Sequence, residues 1–180
     1  MTEILRIIRE QAYLRLDEPV QLASGEMSEH FVDVKKGLAH GRDLRLVCEA
    51  IAALAAERGI EYDTVGGLTM GADQFAHGVA VVADRDWFVI RKEPKGRGTN
   101  KLVEGSALGP GVRALLVEDA VSTGGSIQKA YQAVLDQGAE VVLAVTVVDR
   151  GDRCAPWFAE RGVPYAALVT YPHLAIPPIG

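Results

Sequence analysis

The stretch that most limits the possible folds is residues 113–126, RALLVEDAVSTGGS. Ala114, Leu115, Leu116 and Val117 form an unbroken apolar run, as in a parallel strand covered on both faces. The run stops at two adjacent acids, Glu118 and Asp119. A loop of small, hydroxyl-bearing and glycine residues follows. After it, Ile127, Ala130, Tyr131, Val134 and Leu135 recur at helical spacing. Strand, acids, glycine turn and helix N-terminus together suit a phosphosugar. Backbone N–H groups and the helix dipole attract a phosphate, and paired carboxylates accept hydrogen bonds from vicinal ribose hydroxyls. The same residue types also serve as a plain helix cap after any α/β strand, so the stretch alone leaves both readings open.

The 180 residues match one compact domain, and 48% apolar content supports a core. A net charge of -5 argues against a general nucleic-acid binder, which would be basic. No run of 18 apolar residues occurs, so no transmembrane helix and no membrane partner are expected. The opening MTEILRIIREQ interleaves charge with apolar residues, unlike a signal peptide. Cys48 and Cys154 form neither a metal spacing nor a disulfide framework, and His30, His40, His77 and His173 show no metal spacing. A cytoplasmic location is the resulting expectation.

In chain order, Ile4, Leu5, Ile7, Ile8 and Ala12 predict an amphipathic first helix ending before Asp17. Strands are expected at 20–23 and 31–34, lying outside the later alternation as a hood on the main sheet. Leu44, Val47, Cys48, Ile51, Leu54 and Ala55 share one face of a strong helix that Gly59 stops, which makes Cys48 a core residue. A strand at 63–67, a turn at Leu68, Thr69, Met70 and Gly71, a helix at 72–83 and a strand at 87–90 follow. After residue 126 come a helix, a long apolar strand at 140–148 ending at Asp149 and Arg150, a helix within 153–161 and a last strand at 165–170. The alternation predicts an α/β fold with a mostly parallel sheet flanked by helices. Ligands in such sheets bind at the carboxyl ends of strands, where the acids, Arg150 and the Leu68–Gly71 turn all fall. Neither a P-loop nor a dinucleotide fingerprint is present.

Residues 91–104, RKEPKGRGTNKLVE, break both periodicities. They hold the cations Arg91, Lys92, Lys95, Arg97 and Lys101 inside an acidic chain. A charged run is often a solvated surface loop. Here glycines combine with concentrated positive charge, as an active-site lid requires.

Three segments resemble, in the same order, those of orotate phosphoribosyltransferases: VGGLTMGAD at 65–73, RKEPKGRG at 91–98 and LLVEDAVSTGGS at 115–126. The last resembles the phosphoribosyl-pyrophosphate (PRPP) motif of type I phosphoribosyltransferases. LASGEMSEHFVDVKK at 22–36 is similar to the family's base-binding hood, and VVDR places Arg150 where the family binds orotate. The resemblance implies one domain, with a hood over about residues 1–40 and a core over 41–180. It implies transfer of the 5-phosphoribosyl group from PRPP to orotate, giving orotidine 5-phosphate and pyrophosphate in pyrimidine synthesis. Glu118 and Asp119 would hold the ribose hydroxyls, and Ala120, Val121, Ser122, Thr123, Gly124, Gly125 and Ser126 the 5-phosphate. Leu68, Thr69, Met70 and Gly71 would form the pyrophosphate loop, with Arg91, Lys92, Lys95 and Arg97 meeting the pyrophosphate. Phe31, Val32, Ser122 and Arg150 would contact orotate. Lys95, Arg97 and Asp119 would be the catalytic residues. Magnesium would enter with PRPP, held by substrate oxygens and water without a dedicated protein metal site. A homodimer is implied, with each lid serving its neighbour.

Two departures bear on activity. Many members carry a hood lysine where this chain has Ala23, and a lid histidine where it has Arg97. Arg97 keeps the charge but cannot exchange protons near neutral pH. Gly71 is a lysine in some members and glycine in others. The competing expectations are a phosphoribosyltransferase for another base and a non-catalytic PRPP-sensing regulator.

Overall fold

The structure is a computed structural model and describes residues 2–22, 25–93 and 102–179. Helix α1 (Glu3–Ile7) runs into a π-helical turn (Ile8–Ala12), after which β1 (Tyr13–Gln21) and β2 (Met27–Val32) pair antiparallel as a two-stranded ribbon. A short α2 (Val34–Gly37) and the long α3 (Gly41–Glu57) lead to β3 (Thr64–Leu68), α4 (Asp73–Ala83), β4 (Asp86–Ile90) and β5 (Val103–Gly105). Then come β6 (Arg113–Val121), α5 (Gly125–Asp136), β7 (Glu140–Asp149), α6 (Cys154–Ala159), β8 (Tyr165–Thr170) and α7 (Tyr171–Leu174). The main sheet has the order β5-β4-β3-β6-β7-β8, parallel except for the edge strand β5. No helix among the described residues is long and apolar enough to cross a membrane.

β6 is buried on both sides because it alternates between two cores. Leu115 and Val117 pack with α1, α3 and α4, and Ala114 and Leu116 pack with α5 and α6. The strand order turns around at β3: the chain moves to β4 on one side, then returns to β6 on the other. β3 pairs with β6 only over Thr64–Gly66, whereas β6 stays paired with β7 as far as Val121 and Asp149. The far end of β6 is therefore open on its β3 side, the kind of switch-point crevice where ligands bind.

The first helix ends at Ala12, before Asp17 as expected, and the residues from Tyr13 onward pair with β2. Three sequence expectations change. The hood strands are longer than 20–23 and 31–34. Their pattern was hidden because a ribbon exposed over most of β1 has no buried face to alternate, and a register shift lies between Arg15 and Val20. Val103 and Glu104, at the end of the segment expected to be irregular, join Gly105 in β5, zipped to β4 with Arg91 N–H donating to Leu102 O at 2.9 Å. Glu118 and Asp119 lie inside β6 rather than at its end, since pairing with β7 carries the strand to Val121.

Candidate active site

The two acids are neighbours on β6 and so leave it on opposite faces, yet their oxygens meet at one point. A Cβ added to Gly71 would lie 2.2 Å from Glu118 Oε1 and 2.6 Å from Asp119 Oδ1. Glycine at 71 is what lets the loop after β3 approach both carboxylates. Glu118 is only 3% exposed, and its Oε1 accepts the Asp119 N–H at 3.2 Å. Burial, and then the adjacent negative charge of Asp119, push its pKa well above the usual carboxylate range. Asp119 Oδ1 accepts the Ala120 N–H at 2.7 Å, and Asp119 Oδ2 meets the Lys35 ammonium at 2.8 Å. That hydrogen bond raises the Lys35 pKa.

The turn after β3 is braced by Thr69 N–H donating to Ile90 O at 2.8 Å and by Gln74 Nε2 donating to Gly71 O at 3.0 Å. Thr69, Met70, Val89, Arg91, Lys92, Glu93 and Glu104 line a cavity of about 540 Å³ beside it. Two of the cations expected at the pyrophosphate, Arg91 and Lys92, line this cavity. Arg91 Nη1 lies 3.8 Å from Glu104 Oε1, while its buried Nε has no partner. Lys95 and Arg97 lie outside the described residues.

Past Val121 the chain turns through Gly124, at φ +83°, a left-handed conformation that glycine adopts without strain. α5 then starts, with its first free N–H groups facing the turn. Residues 120–126 and Lys129 line a small hollow of about 200 Å³. Lys129 escaped the sequence reading. Its signal was its place just over one turn into α5, on the side that faces the loop.

Arg150 follows β7 directly and is 5% exposed. Its N–H donates to Val121 O at 2.8 Å, which holds it beside Ser122 at the end of β6. Among the described residues the guanidinium meets no carboxylate. Nη2 reaches Ser28 Oγ at 3.4 Å, and Nε is buried without a partner. Burial lowers its pKa. Alternation along β2 puts Ser28, His30 and Val32 on the face that meets Arg150 and puts Phe31 on the other. Of the two hood residues expected at the base pocket, only Val32 presents its side chain to that face. Tyr13 O–H bonds His30 Nδ1 at 2.8 Å, fixing the ring on the same side. Ser28, His30 and Tyr13 were not singled out from the sequence, because only the ribbon's register reveals their shared face.

Both cysteines are buried, and burial pushes each thiol up to about 12. Cys154 Sγ lies under the glycine turn, 2.6 Å from where a Gly124 Cβ would stand. Neither is placed as a nucleophile.

The crevice thus joins an acid pair, a cavity lined by Arg91 and Lys92 together with Glu93 and Glu104, a glycine cradle and a buried guanidinium that has no counter-ion among the described residues. Known proteins share this arrangement of chain. The family described as phosphoribosyl transferase domain matches residues 37–162. The orotate phosphoribosyltransferase of Pyrococcus abyssi is 36% identical over 167 residues, covering 93% of this chain and 91% of that protein. The orotate phosphoribosyltransferase of Corynebacterium glutamicum is 37% identical over 169 residues, covering 93% and 89%. The crystal structure of Mycobacterium tuberculosis orotate phosphoribosyltransferase in complex with PRPP superposes with a TM-score of 0.78 at 34% identity, covering 97% of this chain and 98% of that one. With matches spanning hood and core alike, the chain belongs to the orotate phosphoribosyltransferase family.

Proposed function

We propose that this protein transfers the 5-phosphoribosyl group of PRPP to orotate, forming orotidine 5-phosphate and pyrophosphate. The observation that carries the choice of base is Arg150. A guanidinium 5% exposed, with an unpartnered Nε and one long contact to Ser28, calls for an anion. The orotate carboxylate suits its fork in bidentate fashion. Ser122 and Val32 complete the base subsite.

In this reading Glu118 and Asp119 accept the ribose hydroxyls, and residues 120–126 take the 5-phosphate. Lys129 adds a positive charge at the hollow's rim. Leu68, Thr69, Met70 and Gly71 hold the pyrophosphate, with Arg91, Lys92, Lys95 and Arg97 around it. Orotate N1 forms a bond to the anomeric carbon as the bond to pyrophosphate breaks. Positive charge builds on the ribose beside the acids, and negative charge builds on the leaving group beside the cations. Cations fixed in advance stabilise that charge best once water is excluded. Magnesium belongs to this reading as an ion carried in by PRPP. The acid oxygens converging at Gly71 are hard donors that fit it. When bound, it neutralises charge on the pyrophosphate. A cytoplasmic homodimer whose lids serve neighbouring sites completes the proposal.

The test is purified protein with PRPP, Mg²⁺ and a panel of bases, following base consumption and pyrophosphate release. Orotate should be consumed and uracil should not. Arg150→Ala should raise KM for orotate about ten- to hundredfold, the worth of a charge-assisted contact of about 1.5–3 kcal/mol, with little change for PRPP. Equal effects on both substrates, or uracil used as well as orotate, would defeat the assignment of the base.

A further inference from the structure

Among the described residues the Arg150 guanidinium has one long contact, Nη2 to Ser28 Oγ at 3.4 Å, so its side-chain partners do little to aim it. Its backbone, by contrast, is pinned on both sides. Its N–H donates to Val121 O at 2.8 Å, and its carbonyl accepts the Ile179 N–H at 2.7 Å. The next peptide is fixed by a side chain: Asp149 Oδ1 accepts the Gly151 N–H at 3.0 Å. Asp149 ends β7 and is 5% exposed. Its second oxygen, Oδ2, accepts the Tyr165 O–H at 2.7 Å. Tyr165 opens β8, and its ring stacks on that of the fully buried Phe158, with centroids 5.4 Å apart. Gly151 has no room to shift: a Cβ there would stand 2.5 Å from both Ser122 O and Ile179 O.

A carboxylate enclosed in the protein is costly unless its oxygens are bonded. Here one oxygen shapes the turn that carries Arg150, and the other is held by a stacked ring. Asp149 bonds toward β8, whereas Arg150 reaches β2 in the hood, so the acid acts on the guanidinium through the backbone between them. The same turn abuts Ser122, the other polar residue of the base subsite. We propose that Asp149, clamped by Tyr165, is the positioning residue of that subsite: it sets the 149–151 turn and thereby the aim of Arg150 and its spacing from Ser122. The proposal rests on reading Arg150 as the group that grips the orotate carboxylate.

The test compares steady-state kinetics of the full chain for orotate and for PRPP. Asp149→Ala should raise KM for orotate about tenfold, the loss of one bond of a bidentate grip, while KM for PRPP stays within about twofold. Asp149→Asn should restore orotate binding, because its amide oxygen accepts from Gly151 and the tyrosine hydroxyl accepts as well as donates. Tyr165→Phe removes only the clamp and should raise KM for orotate about threefold. It carries the test if thermal melts show that the alanine variant does not fold. In an Arg150→Ala background, Asp149→Ala should add no further loss for orotate, since residues that act through one another are not additive. Equal rises in both KM values overturn the proposal, as does a fully additive loss in the double variant. A second readout needs no substrate: the Arg150 Nε–H signal in ¹⁵N NMR, assigned by its loss in Arg150→Lys. It should shift or broaden in Asp149→Ala and Tyr165→Phe and match the parent in Asp149→Asn. A signal unmoved in all three overturns the proposal. A parent protein that consumes no orotate would sink the transferase reading and leave the NMR result standing.

Discussion

Gly71→Ala tests whether the loop after β3 and the acid pair form one unit. The added methyl would stand 2.2 Å from Glu118 Oε1 and 2.6 Å from Asp119 Oδ1, against the 3.4 Å where ordinary contact begins. The acids or the loop must retreat by roughly an ångström. Glu118 is enclosed and Asp119 is tied to Ala120 and Lys35, so neither moves freely. Misplacing a positioning group by about 1 Å costs about a hundredfold in rate, equivalent to about 2.7 kcal/mol of transition-state stabilisation. Kcat/KM for PRPP should fall by that order, with a much smaller change in KM for orotate. Overpacking should also lower stability by about 1–3 kcal/mol, a drop in Tm of several degrees for a chain this size. Gly41→Ala is the control: it opens α3 with nothing within 4 Å of the added methyl. The assay is initial velocity against PRPP at saturating orotate, beside a melt of each variant. A folded Gly71→Ala protein whose kcat/KM for PRPP stays within about twofold of the parent would refute the reasoning.

Two further outcomes probe other parts of the chain. If each lid serves the neighbouring site, mixing inactive Lys95→Ala and Asp119→Asn subunits should restore up to about a quarter of the sites after random exchange, since half the dimers would hold one intact site. Stable mixed dimers without recovery would rule out a lid acting in trans. At the opposite end of the sheet, Arg113 hydrogen-bonds Asp63 at 2.7 Å and holds its pKa down at about 2. A depressed carboxylate contributes stability above its unfolded value near 3.9 and loses it as pH falls toward the folded value. The gap in urea midpoint between parent and Asp63→Asn should therefore close between about pH 5 and pH 2; a gap independent of pH in that range would contradict the ion pair's role.

Much of the core could be read from the chain because its determinants are local. The face of α3 with Val47, Cys48 and Ile51, all fully buried, follows from helical spacing alone. The run from Ala114 to Val117 announces a covered parallel strand, and the acids, glycine turn and helix after it are contiguous. Arg150 was placed correctly because it ends a long apolar strand on the carboxyl edge of the sheet. Other features depend on residues far apart in sequence. β1 is exposed over most of its length and gave no pattern, so the ribbon's register, which turns the face of Ser28, His30 and Val32 toward Arg150, came only from pairing. Ser28 meets Arg150 across 122 positions, and Lys35 meets Asp119 across 84. Residue types said that cations and acids were present. The strand order, which brings the ends of β3 and β6 together and seats α2 beside them, decided which cation holds which acid and why residue 71 has no room for a side chain.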